Sequence, residues 1–286
     1  MRWVHHFTFL LAATATAAEA QELSLSGTAS AGLVYDSDAT DSEVSTHSEI
    51  NFLIAGAGRS DGGLTFGAFL DLDEASVDDA EVFLSGVFGT IRLGRLDAAS
   101  DRFGILDPGF SGIGIDDVAE QYRNATAGAD VEYTWSRGGF TLVATAEIGA
   151  ERSLGVSAEY ATDAFSLGLG YVDDADAANG ALSVTAGYSF GPVAVSGLYS
   201  DWSAGGQGYG VDLSVDTGPA TVTAAWAQAT GVEADPEAGV GDAYGIGLSL
   251  PLSDGLTLSG GLGRIETDAA TDGARTVADF GVTMSF

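Results

Sequence analysis

The side chains best suited to catalysis or metal binding are scarce in this 286-residue sequence. It contains no cysteine and three histidines, of which His5 and His6 lie in the N-terminal segment 1–20, so His47 is the only one in the remaining chain. A serine–histidine–aspartate site would have to use His47. The His or Cys clusters that bind transition metals are missing. We therefore expect no enzyme, no catalytic residue and no metal centre, and we interpret His47, near the first outer loop, as an ordinary loop residue.

Acidic side chains are the abundant ionisable groups. The sequence has 41 Asp and Glu residues against 10 arginines and no lysine, which gives a formal net charge of −31. This surplus would repel nucleic-acid phosphates, so we expect no nucleic-acid partner. Acidic connections such as 36–43, 173–176 and 233–237 could bind Ca²⁺, although they lack the ordered spacing of a specific calcium loop. The sequence predicts no cofactor, with Ca²⁺ in these loops as an open alternative.

Residues 1–20 have the features of a secretory signal peptide. Arg2 precedes a short apolar run over 7–18, and the segment ends in the small-x-small pattern Ala18-Glu19-Ala20. Cleavage is predicted before Gln21, which leaves residues 21–286 as one unit. No stretch approaches the roughly 18 uninterrupted apolar residues that a membrane-spanning helix requires.

Apolar residues recur at every second position along most of the remaining chain, which is typical of strands with two different faces. The first example has Leu23, Leu25, Ala29, Ala31, Leu33 and Tyr35 alternating with small polar residues. The same pattern recurs over 140–148, 154–160, 165–171, 182–190, 193–199, 209–215, 222–226, 244–250, 256–262 and 278–286. Less regular segments lie near 46–57, 64–73, 80–86, 89–95 and 129–135. Together these segments predict an all-β protein of sixteen strands.

The connections between these segments alternate between two kinds. Tight turns lie at 60–63, 86–89, 137–139, 162–163, 191–192, 218–219 and 253–255, whereas the intervening connections are generally longer and acidic. Aromatic residues gather near both ends of the strands, as expected at two lipid–water interfaces. Those near the turns are Trp135, Phe140, Tyr160, Phe165, Tyr188, Phe190 and Phe286, and those near the loops are Tyr35, Tyr171, Tyr199, Tyr209 and Tyr244. This arrangement indicates an antiparallel transmembrane β-barrel of a bacterial outer membrane; a soluble sandwich or propeller is the alternative.

Four segments resemble the general diffusion porins of Gram-negative bacteria, particularly the alphaproteobacterial type. They are the strand–turn–strand segment 81–95, the start 23–27, the hairpin 61–68 and the aromatic C-terminal segment 278–286. The resemblance implies that residues 21–286 form a sixteen-stranded porin barrel in outer-membrane lipid, normally a homotrimer, with a water-filled pore for small hydrophilic solutes. It also implies that Phe286 is a signal to the barrel-insertion machinery.

In that family the third outer loop folds into the barrel and narrows the pore. The strandless stretch 97–128 takes that position here. The resemblance implies that the acidic residues of this stretch form the acidic side of a constriction; they are Asp101, Asp107, Asp116, Asp117 and Glu120. Arg92, Arg95 and Arg123 would form the basic side. Charges of opposite sign on facing walls orient polar solutes in a transverse field. The alternatives are a solvated acidic loop and ordinary salt bridges. Asn51 replaces an arginine found in many relatives, which predicts a weaker field.

The surplus of carboxylates predicts cation selectivity. The leading hypothesis is an outer-membrane pore for passive diffusion of small hydrophilic solutes. A solute-specific pore is the second hypothesis, and an outer-membrane enzyme or adhesin barrel is the third.

Overall fold

The computed structural model describes residues 22–73, 76–123, 128–149, 152–174 and 179–286; the predicted signal peptide, 1–20, lies outside them. In this part of the chain sixteen strands form one closed antiparallel barrel. The strands are β1 (Glu22–Asp36), β2 (Val44–Arg59), β3 (Thr65–Asp73), β4 (Ser76–Gly86), β5 (Gly89–Asp97), β6 (Gly128–Arg137), β7 (Phe140–Ala146), β8 (Ser153–Ala161), β9 (Phe165–Asp174), β10 (Asn179–Phe190), β11 (Val193–Trp202), β12 (Gly206–Asp216), β13 (Thr221–Gly231), β14 (Gly241–Ser253), β15 (Leu256–Thr267) and β16 (Arg275–Ser285). The predicted all-β class and strand number are confirmed.

Each strand pairs with its sequence neighbours, and β1 pairs with β16 to close the barrel. The closure is secured at the C-terminus, where the Gly27 amide donates to the Phe286 carbonyl at 2.8 Å and the Phe286 amide donates to the Gly27 carbonyl at 3.0 Å. Closure removes the unpaired edges that an open sheet would expose.

The two faces of the sheet differ as the period of two predicts. In β14, Tyr244, Ile246 and Leu248 are exposed, whereas Gly245 and Gly247 between them are buried. Exposed Leu, Val, Ile and aromatic side chains continue around the barrel on this outer face. Such a continuous apolar band is suited to a lipid environment.

The short helix α1 (Ile115–Glu120) belongs to the long connection between β5 and β6. No helix in the described part of the chain is long and apolar enough to cross a membrane. The longer connections, including this one, share one end of the barrel, and the tight turns share the other.

The part of the β5–β6 connection that the structure describes, 98–123, runs through the inside of the barrel. Ala99 lies against Gly155 of β8, whereas the amide of Phe110 donates to Asp279 of β16. These strands are eight positions apart, half of the perimeter. A path along the outside would exceed about 50 Å at normal strand spacing and tilt, but eleven residues reach at most about 40 Å. Only an interior path is short enough.

Candidate functional site

Residues 98–123, which we call the interior loop, lie in a groove of small side chains on the inner wall. A Cβ atom added to Gly208 would collide with the carbonyl of Ala119, and one added to Gly210 would lie 2.9 Å from Ile105. Glycines or alanines at inward positions of β12–β15 leave the space that the loop occupies. The groove therefore determines where the loop can lie.

Two carboxylates of the wall hold the backbone of the interior loop. Asp279 Oδ2 accepts the amides of Phe110 at 2.8 Å and Ser111 at 2.9 Å, and the Ser111 hydroxyl at 3.1 Å. Asp212 Oδ2 accepts the amide of Leu106 at 3.2 Å and the hydroxyl of Ser196. Both acids are largely buried under the loop. Charge-assisted hydrogen bonds of this kind are stronger than neutral ones, so these acids are the main polar anchors of the tip.

Asp107 holds the beginning of α1. The helix starts at Ile115, and its N-cap residue Gly114 has no side chain to cap it. Asp107 instead accepts the amides of Gly114 at 2.7 Å and Ile115 at 3.0 Å. Burial raises the pKa of Asp107 to about 7 despite these two donors. Burial, together with the neighbouring charges of Asp107 and Asp117, also raises the pKa of Asp116.

Asp101, Glu120 and Arg123 form an ion cluster within the interior loop. Arg123 Nε lies 2.8 Å from Asp101 Oδ1, and Arg123 Nη1 pairs with Glu120. The three side chains are largely buried, since Arg123 is 12% exposed, Asp101 7% and Glu120 11%. Arg123 also donates to the Phe103 carbonyl at 3.1 Å, and Glu120 accepts the Ile105 amide at 2.8 Å. This cluster therefore joins the two ends of the loop.

Arg92 and Arg95 lie on the barrel wall near the point where the loop leaves β5. Arg92 faces inward and pairs with Glu81 at 2.6 Å and with Glu132 at 3.6 Å. Arg95 Nε lies 4.0 Å from Asp79 Oδ1, and its side chain is 63% exposed. The structure thus brings the wall arginines together but places Arg123 in a separate cluster.

An open recess of about 150 Å³ separates the wall arginines from the base of the interior loop. It is lined by the arginines Arg92, Arg95 and Arg102, by the carboxylates Asp79, Glu81, Asp97, Asp101 and Glu132, and by Leu96, Ala98, Ala99 and Val143. Asp117 instead borders a smaller cavity of about 90 Å³ with Asp235, Glu237 and Arg275. The predicted acids are therefore distributed along the loop, with Asp101 alone at the recess.

His47 lies within β2 and not in a loop, so that part of the sequence interpretation is wrong. Its imidazole is 3.1 Å from the Ser30 hydroxyl and 3.5 Å from Glu49, and its ring makes an edge contact with Phe110 at 5.3 Å between centroids. Among the described residues no group of three or more His, Cys, Asp or Glu side chains could hold a metal ion. The Ca²⁺ suggestion stays a prediction.

Comparison with known proteins decides the family. A family model described as Gram-negative porin matches residues 8–270. The chain belongs to the Gram-negative porin family. It is 29% identical to a porin of Rhodobacter capsulatus over a 318-residue alignment and 27% identical to a porin of Fuscovulum blasticum over 300 residues; each alignment covers 93% of this chain and 100% of the relative.

Solved porin structures have the same fold. A variant of the Rh. blastica porin matches with a TM-score of 0.74 at 23% identity, and another porin structure matches with a TM-score of 0.73 at 24% identity; each match covers 93% of this chain and 100% of the other. This porin is therefore a pore-forming barrel of the bacterial outer membrane.

Sequence reasoning missed three features of this porin: Arg102, the anchor Asp279 and the glycine groove. Arg102 was not among the predicted basic side chains, which were Arg92, Arg95 and Arg123. Asp279 lies 169 positions from Phe110 in sequence, so no local pattern connects them. The groove did leave a signal, since Gly and Ala recur at inward positions of β12–β15, among them Gly208, Gly210 and Gly245.

Proposed function

We propose that this porin is a general diffusion pore with a preference for cations. The observation that carries the proposal is the pairing of its arginines. Arg92 is shared by Glu81 and Glu132, and Arg123 is shared by Asp101 and Glu120. Each cluster thus has one more negative than positive charge.

Other inward positions add to the negative charge. Acids at inward positions include Asp36, Glu49, Asp71, Asp79, Glu81, Glu132, Glu159, Asp212 and Asp279, whereas the wall arginines that face the lumen include Arg59, Arg92, Arg95 and Arg275. A lumen with more fixed negative than positive charge concentrates cations and repels anions, and this effect weakens as salt screens the charges.

A general pore is favoured over a solute-specific pore by the inner wall. The inward side chains of β8–β15 are largely Gly, Ala, Ser and Thr. A ladder of facing aromatics and arginines, which a solute-specific pore would use, is absent from the inward positions of these strands. Small hydrophilic solutes would then be selected by size and charge.

The test is the reversal potential of the purified protein in a planar bilayer under a KCl gradient. We expect K⁺ to be preferred at 0.1 M salt, where the Debye length is about 10 Å, and the preference to decrease towards 1 M, where it is about 3 Å. Glu132→Gln should lower the preference, because Arg92 then has one carboxylate partner. Preference for Cl⁻ at low salt would contradict the proposal.

Family membership also supports a homotrimer and recognition of the C-terminus during assembly. Phe286 is 63% exposed and contacts Phe52 in an edge geometry at 5.9 Å between ring centroids. We expect chemical cross-linking in membranes to give a trimer. We also expect Phe286→Ser to reduce insertion into the outer membrane; unchanged insertion would contradict that role.

A further inference from the structure

We infer that the recess at the base of the interior loop binds small zwitterions, with Arg102 holding the carboxylate. This inference rests on the proposed function, because the recess is reached through the pore. It assigns a solute class and a binding residue to one place in the lumen.

Arg102 lines this recess and has one side-chain donor without a partner among the described residues. This donor is Nη1, which is buried. The neighbouring acids are near other arginines: Glu81 and Glu132 pair with Arg92, and Asp101 pairs with Arg123. A buried guanidinium donor that lacks an acceptor favours the binding of a solute that supplies a hydrogen-bond acceptor. A carboxylate is well suited, because its two oxygens match the planar fork of arginine.

The surroundings of Arg102 favour a zwitterion over a simple anion. Five carboxylates and three arginines line the recess, so its lining has a net negative charge. A molecule with only a carboxylate would be repelled by this surplus. A molecule that also carries an ammonium group can place that group near Asp97 or Asp79, and it enters with no net charge.

The size of the recess fits such a solute. By the measure that requires about 10 to 15 Å³ for one water, a volume of about 150 Å³ accommodates a molecule of several non-hydrogen atoms. Glycine and β-alanine are suitable probes, and acetate and methylammonium are matched probes that carry one charge each.

The experiment measures how each probe reduces the single-channel K⁺ current of the full-length protein in a planar bilayer. We expect glycine or β-alanine to reduce the current at lower concentration than acetate or methylammonium. Arg102→Gln should weaken the zwitterion effect about tenfold, the change expected from loss of about 1.4 kcal/mol. Arg152→Gln is the control, because Arg152 is an exposed arginine in the connection before β8.

The outcomes separate this inference from the proposed function. If the protein forms no channel, or its channel prefers anions, the proposed function fails. If the channel conducts as proposed but glycine acts no more strongly than acetate, the zwitterion site is wrong. Equal zwitterion effects in Arg102→Gln and Arg152→Gln channels would also overturn the assignment. Heat-modifiable migration in gels confirms that each variant has folded before it is measured.

Discussion

Replacement of Asp279 by alanine should release the tip of the interior loop. The carboxylate accepts three hydrogen bonds at 2.8, 2.9 and 3.1 Å, two of them from backbone amides. Net contributions of hydrogen bonds to a charged group are about 1.5 to 3 kcal/mol each. Water in the pore can reach the freed amides and the three bonds act as a unit, so we expect a total loss of about 2 to 4 kcal/mol.

This loss corresponds to a decrease of about 30- to 1,000-fold in the equilibrium constant for docking of the tip. The remainder of the loop should stay in place, since Gln121 still donates to the Gly239 carbonyl at 2.9 Å and Asp212 still holds Leu106. We therefore expect larger fluctuations of the open-channel current in Asp279→Ala, with the barrel folded.

Glu159→Ala is the charge-matched control. Glu159 lies on β8 at an inward position, and no hydrogen bond or ion pair joins it to the described part of the interior loop. The assay is the current noise of single channels at fixed voltage and salt. If Asp279→Ala and Glu159→Ala channels have the same noise as the unmodified protein, the tip does not depend on this carboxylate and the reasoning is refuted.

Two further predictions concern the charge and the packing of the loop. Burial raises the pKa of Asp107 to about 7 and also raises the pKa values of Asp116 and Asp117. Lowering the pH from 8 to 6 should therefore protonate some of these carboxylates and reduce the preference of the channel for cations. A reversal potential that stays unchanged down to pH 5 would contradict this prediction. Gly208→Ala should destabilise the protein by about 1 to 3 kcal/mol through overpacking against the loop, measured by denaturant unfolding in detergent. Gly56→Ala, with nothing within 4 Å of the added Cβ, should change stability by less than about 0.5 kcal/mol, and equal effects of the two substitutions would contradict the packing argument.

The barrel could be predicted from sequence because every strand has the same two environments. Lipid outside selects Leu, Val and aromatic residues, and the lumen selects small or polar ones, so the period of two is repeated in most strands. The strand bounds differ from the predicted ones by a few residues; for example, 46–57 corresponds to Val44–Arg59. The regular alternation of environments therefore made the strands predictable even where individual segments were less regular.

The contacts of the interior loop could not be predicted in the same way. Arg123 pairs with Asp101, 22 positions away in sequence, and Asp279 holds residues 168 and 169 positions away. The path of the loop across the barrel determines which residues become partners. This path depends on the groove in the inner wall and not on the local periodicity of the sequence. The residue types in the sequence indicated charged clusters, but only the tertiary structure shows which arginine pairs with which carboxylate.

The way the loop is held has a consequence for the charge of the pore. Asp212 and Asp279 bind backbone amides, which are uncharged donors, and Asp107 does the same at the start of α1. An arginine–carboxylate pair would fix a loop without adding net charge, whereas an amide–carboxylate anchor leaves the negative charge in place while the carboxylate is ionised. When a barrel with few arginines anchors its loop through amide–carboxylate bonds, the carboxylates give its lumen a net negative charge. The proposed cation preference and the position of the loop are thus physically linked through the same carboxylates.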